Sequence, residues 1–233
     1  MKVAELFEDK LLSRDAVMKR MQNAKSSEER RKWAMYLVRN RYAYYMTEET
    51  LSAYSDRLVK TLNIKRLGSG AYAHVFQHPE FPNVVVKVFT NKDKVYKRYA
   101  AWCMKHQSNK YVPKIIEIVP FKSESGDSYN IAFMEKMTPM RNSTFNAWTK
   151  SITGDAGLKA IDDYDYDKLF KLFVKGMKAS TDADLKAVMD HIFSYGQGMF
   201  DVHAGNVMRR GTQIVFTDPV GDAPVTRVDG YGQ

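Results

Sequence analysis

At 233 residues with 44% hydrophobic content, the chain can bury a core in one or two domains. No apolar run nears the roughly 18 residues that cross a bilayer, and the opening MKVAELFEDKLL is charged too early and too often for a secretory signal, so an intracellular, non-membrane protein is expected. The net charge is +9, and the lone Cys103 excludes an internal disulfide or a multi-cysteine metal site and reads as a small buried hydrophobe.

The first 60 residues lack Gly and Pro and carry apolar side chains at helical spacing (Leu6, Leu11, Leu12, Val17, Met18, Met21, then Trp33, Leu37, Tyr42, Tyr45), which predicts two or three helices. Ser26-Ser27-Glu28-Glu29 and Thr47-Glu48-Glu49 read as helix starts, a hydroxyl cap followed by first-turn carboxylates. Between Ile64 and Phe89, Gly and Pro punctuate short β-branched and aromatic runs, predicting two or three antiparallel strands. A helix is expected over Asp93–His106. Strands near Lys114–Pro120 and Ser128–Met134 flank the turn Ser125-Gly126-Asp127. Helices near Tyr166–Met177 and from Asp184 to Phe200 follow, the latter aligning Leu185, Val188, Met189, Ile192 and Met199. A hairpin of Val207–Arg209 and Gln213–Thr217 closes around Arg210-Gly211. The acidic run Asp162-Asp163-Tyr164-Asp165-Tyr166-Asp167 lacks the glycine and final glutamate of a Ca2+ loop and reads as a helix start.

Charge is uneven along this order: residues 61–150 hold 14 basic and 6 acidic side chains, residues 151–233 hold 9 and 12. Lys92, Lys94, Lys97, Arg98, Lys105, Lys110 and Lys114 offer a landing place for an anionic partner, a solvated helix face being the simpler reading. No zinc-finger spacing or RNA-binding aromatic motif accompanies them, so direct nucleic-acid binding is not expected.

Four features carry chemistry. Leu67-Gly68-Ser69-Gly70-Ala71-Tyr72-Ala73-His74-Val75 is a glycine-containing turn between strands, where backbone N–H groups can approach phosphate oxygens that a Cβ would obstruct. It lacks the Gly-Lys-Ser/Thr ending of a P-loop, and the strand after it argues against a dinucleotide turn; alone it is equally an ordinary hairpin. Lys87, inside Val84-Val85-Val86-Lys87-Val88-Phe89, must reach water or meet an anion such as an ATP phosphate. Phe200-Asp201-Val202-His203-Ala204-Gly205-Asn206 sets a carboxylate and an amide five residues apart on a loop, fit to position a hydroxyl and to ligate Mg2+. With no second His or Cys at metal spacing, His203 reads as structural or phosphate-facing. Val215-Phe216-Thr217-Asp218-Pro219 delivers an acid from a short strand, a hard Mg2+ ligand or simply a turn.

Glycine-containing hairpin, strand lysine, loop Asp and Asn, then strand-borne Asp is the order of protein kinases. From about Ile64 to Val220 the chain resembles the early serine/threonine protein kinases of T7-like bacteriophages (Autographiviridae), through LGSGAYAHVFQHPEFPNVVVKV, FDVHAGNVM and TDPV. The resemblance implies an α+β, bilobal protein-kinase-like fold. Its parts would be a helical N-terminal segment over 1–60, an N-lobe over 61–138 and a reduced, mainly helical C-lobe over 139–233. It further implies transfer of the ATP γ-phosphate, with Mg2+, to host bacterial proteins of transcription, RNA processing and translation in the cytoplasm of the infected host, self-phosphorylation being a further expectation. By the same resemblance Asp201 is the catalytic base, and Lys87 binds the phosphates. Gly68, Ser69, Gly70, Ala71 and Val75 would cover the nucleotide, with His203 facing the phosphates. Asn206 and Asp218 would hold Mg2+, and Phe133–Met137 would be the inter-lobe hinge whose Glu135 and Met137 backbone meets adenine.

Departures qualify the resemblance. Met199-Phe200-Asp201 stands for His-Arg-Asp, His203 for a frequent lysine, and Asp218-Pro219-Val220 for Asp-Phe-Gly. The helix after Lys87 has no glutamate, Asp93 being the one candidate partner. Only 15 residues follow Asp218, too few for an activation segment, so substrate recognition is expected from the N-terminal helices or the Lys92–Lys114 region. A small-molecule phosphotransferase and a kinase-shaped module that docks on a host protein stay open as alternatives.

Overall fold

In the computed structural model the described residues are 64–70, 72–77, 82–122 and 128–221, with isolated positions between 19 and 60. The predicted N-terminal helices therefore lie largely outside them, as do the Ser125-Gly126-Asp127 turn and the Thr47 start. At Ser26 the expected cap is present: Ser26 Oγ accepts from the Glu29 N–H at 3.0 Å and the Glu29 carboxylate accepts from the Lys25 N–H at 3.0 Å.

The described chain is α+β, with two antiparallel sheets and five α-helices. The larger sheet is built from β1 (Lys65–Ser69), β2 (Ala73–Gln77), β3 (Val84–Thr90), β4 (Ile115–Lys122) and β5 (Ser128–Glu135), ordered β1-β2-β3-β5-β4. β3 is rich in valine because both of its faces are covered: Val86 and Val88 pack with Phe76, Ile131, Phe133, Leu51 and Ile64, while Phe89 on the other face meets the helix α1 (Lys94–Lys105). The smaller sheet joins β6 (Thr138–Pro139), β7 (Val207–Arg210) and β8 (Gln213–Phe216); Gly211 turns the β7–β8 hairpin at φ 63°, a left-handed position that favours glycine.

Four helices follow the larger sheet and precede β7: α2 (Asn142–Thr153), α3 (Asp155–Asp162), α4 (Tyr166–Met177) and α5 (Ala183–Phe193). Sequence reading did not delimit α2 and α3. The acidic run divides between two helices, Asp162 ending α3 and Asp165 capping α4 by accepting from the Lys168 N–H at 2.9 Å. α5 stops at Phe193 rather than Phe200: Gly196 takes φ 86°, and a short 3-10 turn over Gln197–Met199 leads to the loop.

One hydrophobic core runs from Phe89 through Tyr96, Tyr99 and Cys103 of α1 into Phe145, Phe173, Val188, Ile192, Phe200 and Phe216, each aromatic contributing about 1.5–3 kcal/mol on burial. Cys103 is fully buried as expected, and burial pushes its thiol up to about 12. α1 is thus the link between sheet and helices. Its Trp102 is stacked between His106 at 4.2 Å and His191 of α5 at 4.3 Å. Burial, with the charges of His106 and Arg98, pulls His191 down to about 4, and Tyr195 Oη lies 3.1 Å from its Nε2. The unfolded chain takes up this proton near pH 6.5, whereas the folded chain waits until about 4, so stability is lost as pH falls through that window. His191→Phe keeps the stack and should flatten the slope of melting temperature against pH between those limits; an unchanged slope would assign it to other groups.

Candidate active site

Across the larger sheet, Gly68, Val75, Lys87 and Ala132 are successive cross-strand partners and so form one row, which places the glycine turn, Val75 and Lys87 on a common line. The turn is closed by Gly70 N–H to Ala73 O at 2.8 Å, and Ser69 pairs with His74; Ala71 lies outside the described residues. Lys87 is 5% exposed, so its strand does not turn a polar face to solvent. Its ammonium is instead matched twice: Nζ donates to Asp218 Oδ2 at 2.7 Å and lies 3.2 Å from the centroid of the Tyr96 ring. These two groups stand where a helix glutamate was missing. Asp93 has another use, as the N-cap of α1, accepting from the Tyr96 N–H at 3.0 Å. Burial and the nearby Asp218 carboxylate hold the Tyr96 phenol well above its ordinary range, so the ring stays neutral under the ammonium.

The loop acids are positioned by backbone. Asp201 N–H donates to Pro219 O at 2.9 Å and Gly221 N–H to Met199 O at 3.0 Å, with Phe200 bridged to Val220, so the segment before the loop runs antiparallel to the one after β8. The Asn206 carbonyl accepts from Thr217 N–H (3.0 Å), Asp218 N–H (3.1 Å) and Thr217 Oγ1 (2.9 Å). Asn206 Nδ2 donates to Asp201 Oδ2 at 2.8 Å and to Asp201 O at 3.0 Å. A carboxylate only accepts, so the amide nitrogen must face it, which turns Asn206 Oδ1 away as an available oxygen donor.

His203 Nδ1 accepts from the Gly205 N–H at 3.1 Å, which leaves the proton of a neutral ring on Nε2, 3.8 Å from Asp201 Oδ1. A Cβ on Gly205 would come within 2.9 Å of the His203 ring, so glycine is what lets the imidazole lie against the loop. Side chains of Asp201, His203 and Asp218 keep 31%, 44% and 35% of their exposure, so the cluster opens to solvent while Lys87 does not.

Glu135 is placed differently from its expected partners in the site. Its carboxylate accepts from Arg210 Nε at 2.8 Å, is bonded also by the other arm of that guanidinium, and accepts from the Lys114 N–H at 2.7 Å; these partners hold it below the ordinary carboxylate range although burial opposes them. Its N–H donates to Lys114 O at 2.9 Å and that of Lys136 to Asn83 O at 3.0 Å, so both donors are taken up by the fold, and Met137 beside them is half-buried. Arg210 also donates to the carbonyls of Lys110 and Val112, so it fastens β7 to the segment before β4 and, through Glu135, to the end of β5. Sequence reading singled out neither Tyr96, Thr217, Gly205 nor Arg210. Arg210 showed only a turn.

The donors suit a divalent cation shared with phosphates. Among the described residues no group of three or more His, Cys, Asp or Glu forms a protein-only metal cage, whereas Mg2+ on a nucleotide asks for one or two carboxylate or amide oxygens, which Asp218 and Asn206 Oδ1 offer. No helix of the described residues is long and apolar enough to cross a membrane. No curated protein matches the sequence. A sequence model described as Bacteriophage T7 protein kinase matches residues 49–226, a span that contains the glycine turn, Lys87, the Asp201 loop and Asp218; with most of its length inside that match, the chain belongs to the bacteriophage T7 protein kinase family.

Proposed function

We propose that this kinase transfers the γ-phosphate of ATP to serine or threonine hydroxyls of host bacterial proteins. The observation that carries the proposal is the convergence of Lys87, Asp201, Asn206 and Asp218, drawn from β3, the loop before β7 and the end of β8, through contacts of 2.7–3.1 Å. The protein-kinase-like division into an N-lobe of the larger sheet with α1 and a reduced helical C-lobe is part of the same reading. It is supported by the lysine's place on β3 behind a glycine turn.

In this reading Lys87 exchanges its bond to Asp218 for phosphate oxygens, and the glycine turn offers N–H groups from above. Asp218 and Asn206 Oδ1 would hold Mg2+, which supplies charge neutralisation on the phosphates. Asp201 Oδ1 accepts the acceptor hydroxyl's proton as its oxygen bonds to the γ-phosphorus and the bond from phosphorus to the leaving ADP oxygen breaks. His203 Nε2–H is a donor on the phosphoryl side. Positioning and electrostatics supply most of the acceleration.

The test is transfer from labelled ATP, with Mg2+, into bacterial lysate proteins. Asp201→Ala is expected to lower it by about 10²–10⁴-fold while ATP binding persists. Equal labelling by the variant would remove Asp201 from this role, and label found only in small molecules would move the acceptor class. Gly205→Ala should displace the His203 ring and lower kcat several-fold; as an exposed loop change it should cost no more than about 0.5 kcal/mol of stability, read as an almost unchanged melting temperature.

A further inference from the structure

The seven cations between Lys92 and Lys114 are divided by the fold. Lys110 is paired with Asp182 at 2.8 Å, and Lys114 Nζ donates to the Gln107 carbonyl. Lys94, Lys97, Arg98 and Lys105 instead share the outward face of α1 with Ala101 and Met104; all six are exposed, Met104 at 39%. Their spacing follows the helical repeat, so cations flank a short apolar centre along about 16 Å of helix. A face that is only solvated ordinarily mixes signs, with acids four residues from bases. α1 holds no acid at all, and between Lys87 and Ile116 the one carboxylate is Asp93, buried at the cap. Lys97 donates to Asn91 Oδ1 at 3.0 Å and Arg98 lies over the Tyr195 ring at 5.1 Å, both neutral partners.

We propose that this face of α1 docks an acidic amphipathic segment of another protein, its apolar side chains on Ala101 and Met104 and its carboxylates on Lys94, Lys97, Arg98 and Lys105. A nucleic acid is the less suitable occupant. Phosphates would use the cations but place nothing on Met104, and Trp102, the aromatic of α1 nearest this face, is already stacked between two imidazoles and closed to bases. A three-turn contact falls at the small end of interfaces, so the docking is weak and salt-sensitive.

Fluorescence anisotropy of a labelled Glu/Leu amphipathic helical peptide titrated with the full chain, without ATP, reads this directly. Binding should weaken at least roughly tenfold in the variant Lys94→Glu, Lys97→Glu, Arg98→Glu, Lys105→Glu, since four exposed ion pairs at a few tenths of a kcal/mol or more each add to that factor. Met104→Ser should weaken it a few-fold on its own, an effect bulk charge attraction does not produce; it also keeps the test open should the charge-reversal variant misfold. No peptide binding by the wild type, equal binding of an all-glutamate peptide without leucine, or tighter binding of a labelled RNA of equal charge would each overturn the proposal. Because no turnover is measured, failure here leaves the phosphotransfer reading untouched.

Discussion

Replacing Lys87 with methionine is expected to lower phosphoryl transfer by about 10²–10³-fold, the range seen when one preorganised donor is removed from a reacting anion. The ammonium is almost fully withdrawn from water and held 2.7 Å from Asp218 and 3.2 Å from the Tyr96 ring, so its desolvation is already complete before any phosphate arrives. Methionine has nearly the length of lysine and a polarisable sulfur suited to the Tyr96 face. Asp218, at 35% side-chain exposure, can turn to water rather than be left as a stranded buried charge. The melting temperature should therefore move little while the rate collapses, and both are measured on one preparation. A variant that melts normally and transfers phosphate at the wild-type rate would show that Lys87 is needed by neither the fold nor the transfer. Arginine is not a conservative replacement here, since its planar fork does not fit a slot shaped for a point charge.

The second large effect is on stability. Gly176→Ala places a methyl group 2.3 Å from the carbonyl oxygen of Ile152 and 2.7 Å from that residue's Cγ2, so α4 and α2 must part. The obstructing atoms include backbone and cannot rotate away. Such overpacking costs about 1–3 kcal/mol, which for a chain of this length lowers the melting temperature by roughly 3–10 °C. In an exposed helix the same change would stabilise by up to about 1 kcal/mol, so the sign of the shift reports whether the helices touch backbone to side chain. A rise in melting temperature would mean that they do not.

Much of the architecture could be read before any coordinates because the local signals were strong. The β-branched run of Val84–Phe89, the turn at Arg210-Gly211 and the helices expected over Asp93–His106 and Tyr166–Met177 each match their element within a residue or two. Lys87, Asp201, Asn206 and Asp218, which the fold brings together, stood out for a different reason, their order along the chain. Where reading failed, the cause was contact at a distance or one backbone angle. α5 was extended to Phe200 because Met199 and Phe200 continue its apolar content, yet Gly196 in the left-handed region ends the rod. α2 hid because Thr149 interrupts the stripe of Phe145, Trp148 and Ile152 with a hydroxyl, although that threonine is fully buried. Asp93 was a plausible ion-pair partner by sequence proximity, and only its cap geometry shows its use. The tie between Arg210 and Glu135 spans 75 positions and leaves no local trace.

The three hydrogen bonds accepted by the Asn206 carbonyl, together with the antiparallel splice of residues 199–201 onto 219–221, have a temporal consequence. Asp201, Asn206 and Asp218 are braced by backbone contacts between their loop and the segment after β8, so their alignment is part of the fold itself. An enzyme built in this way would be competent once folded, its output following its synthesis.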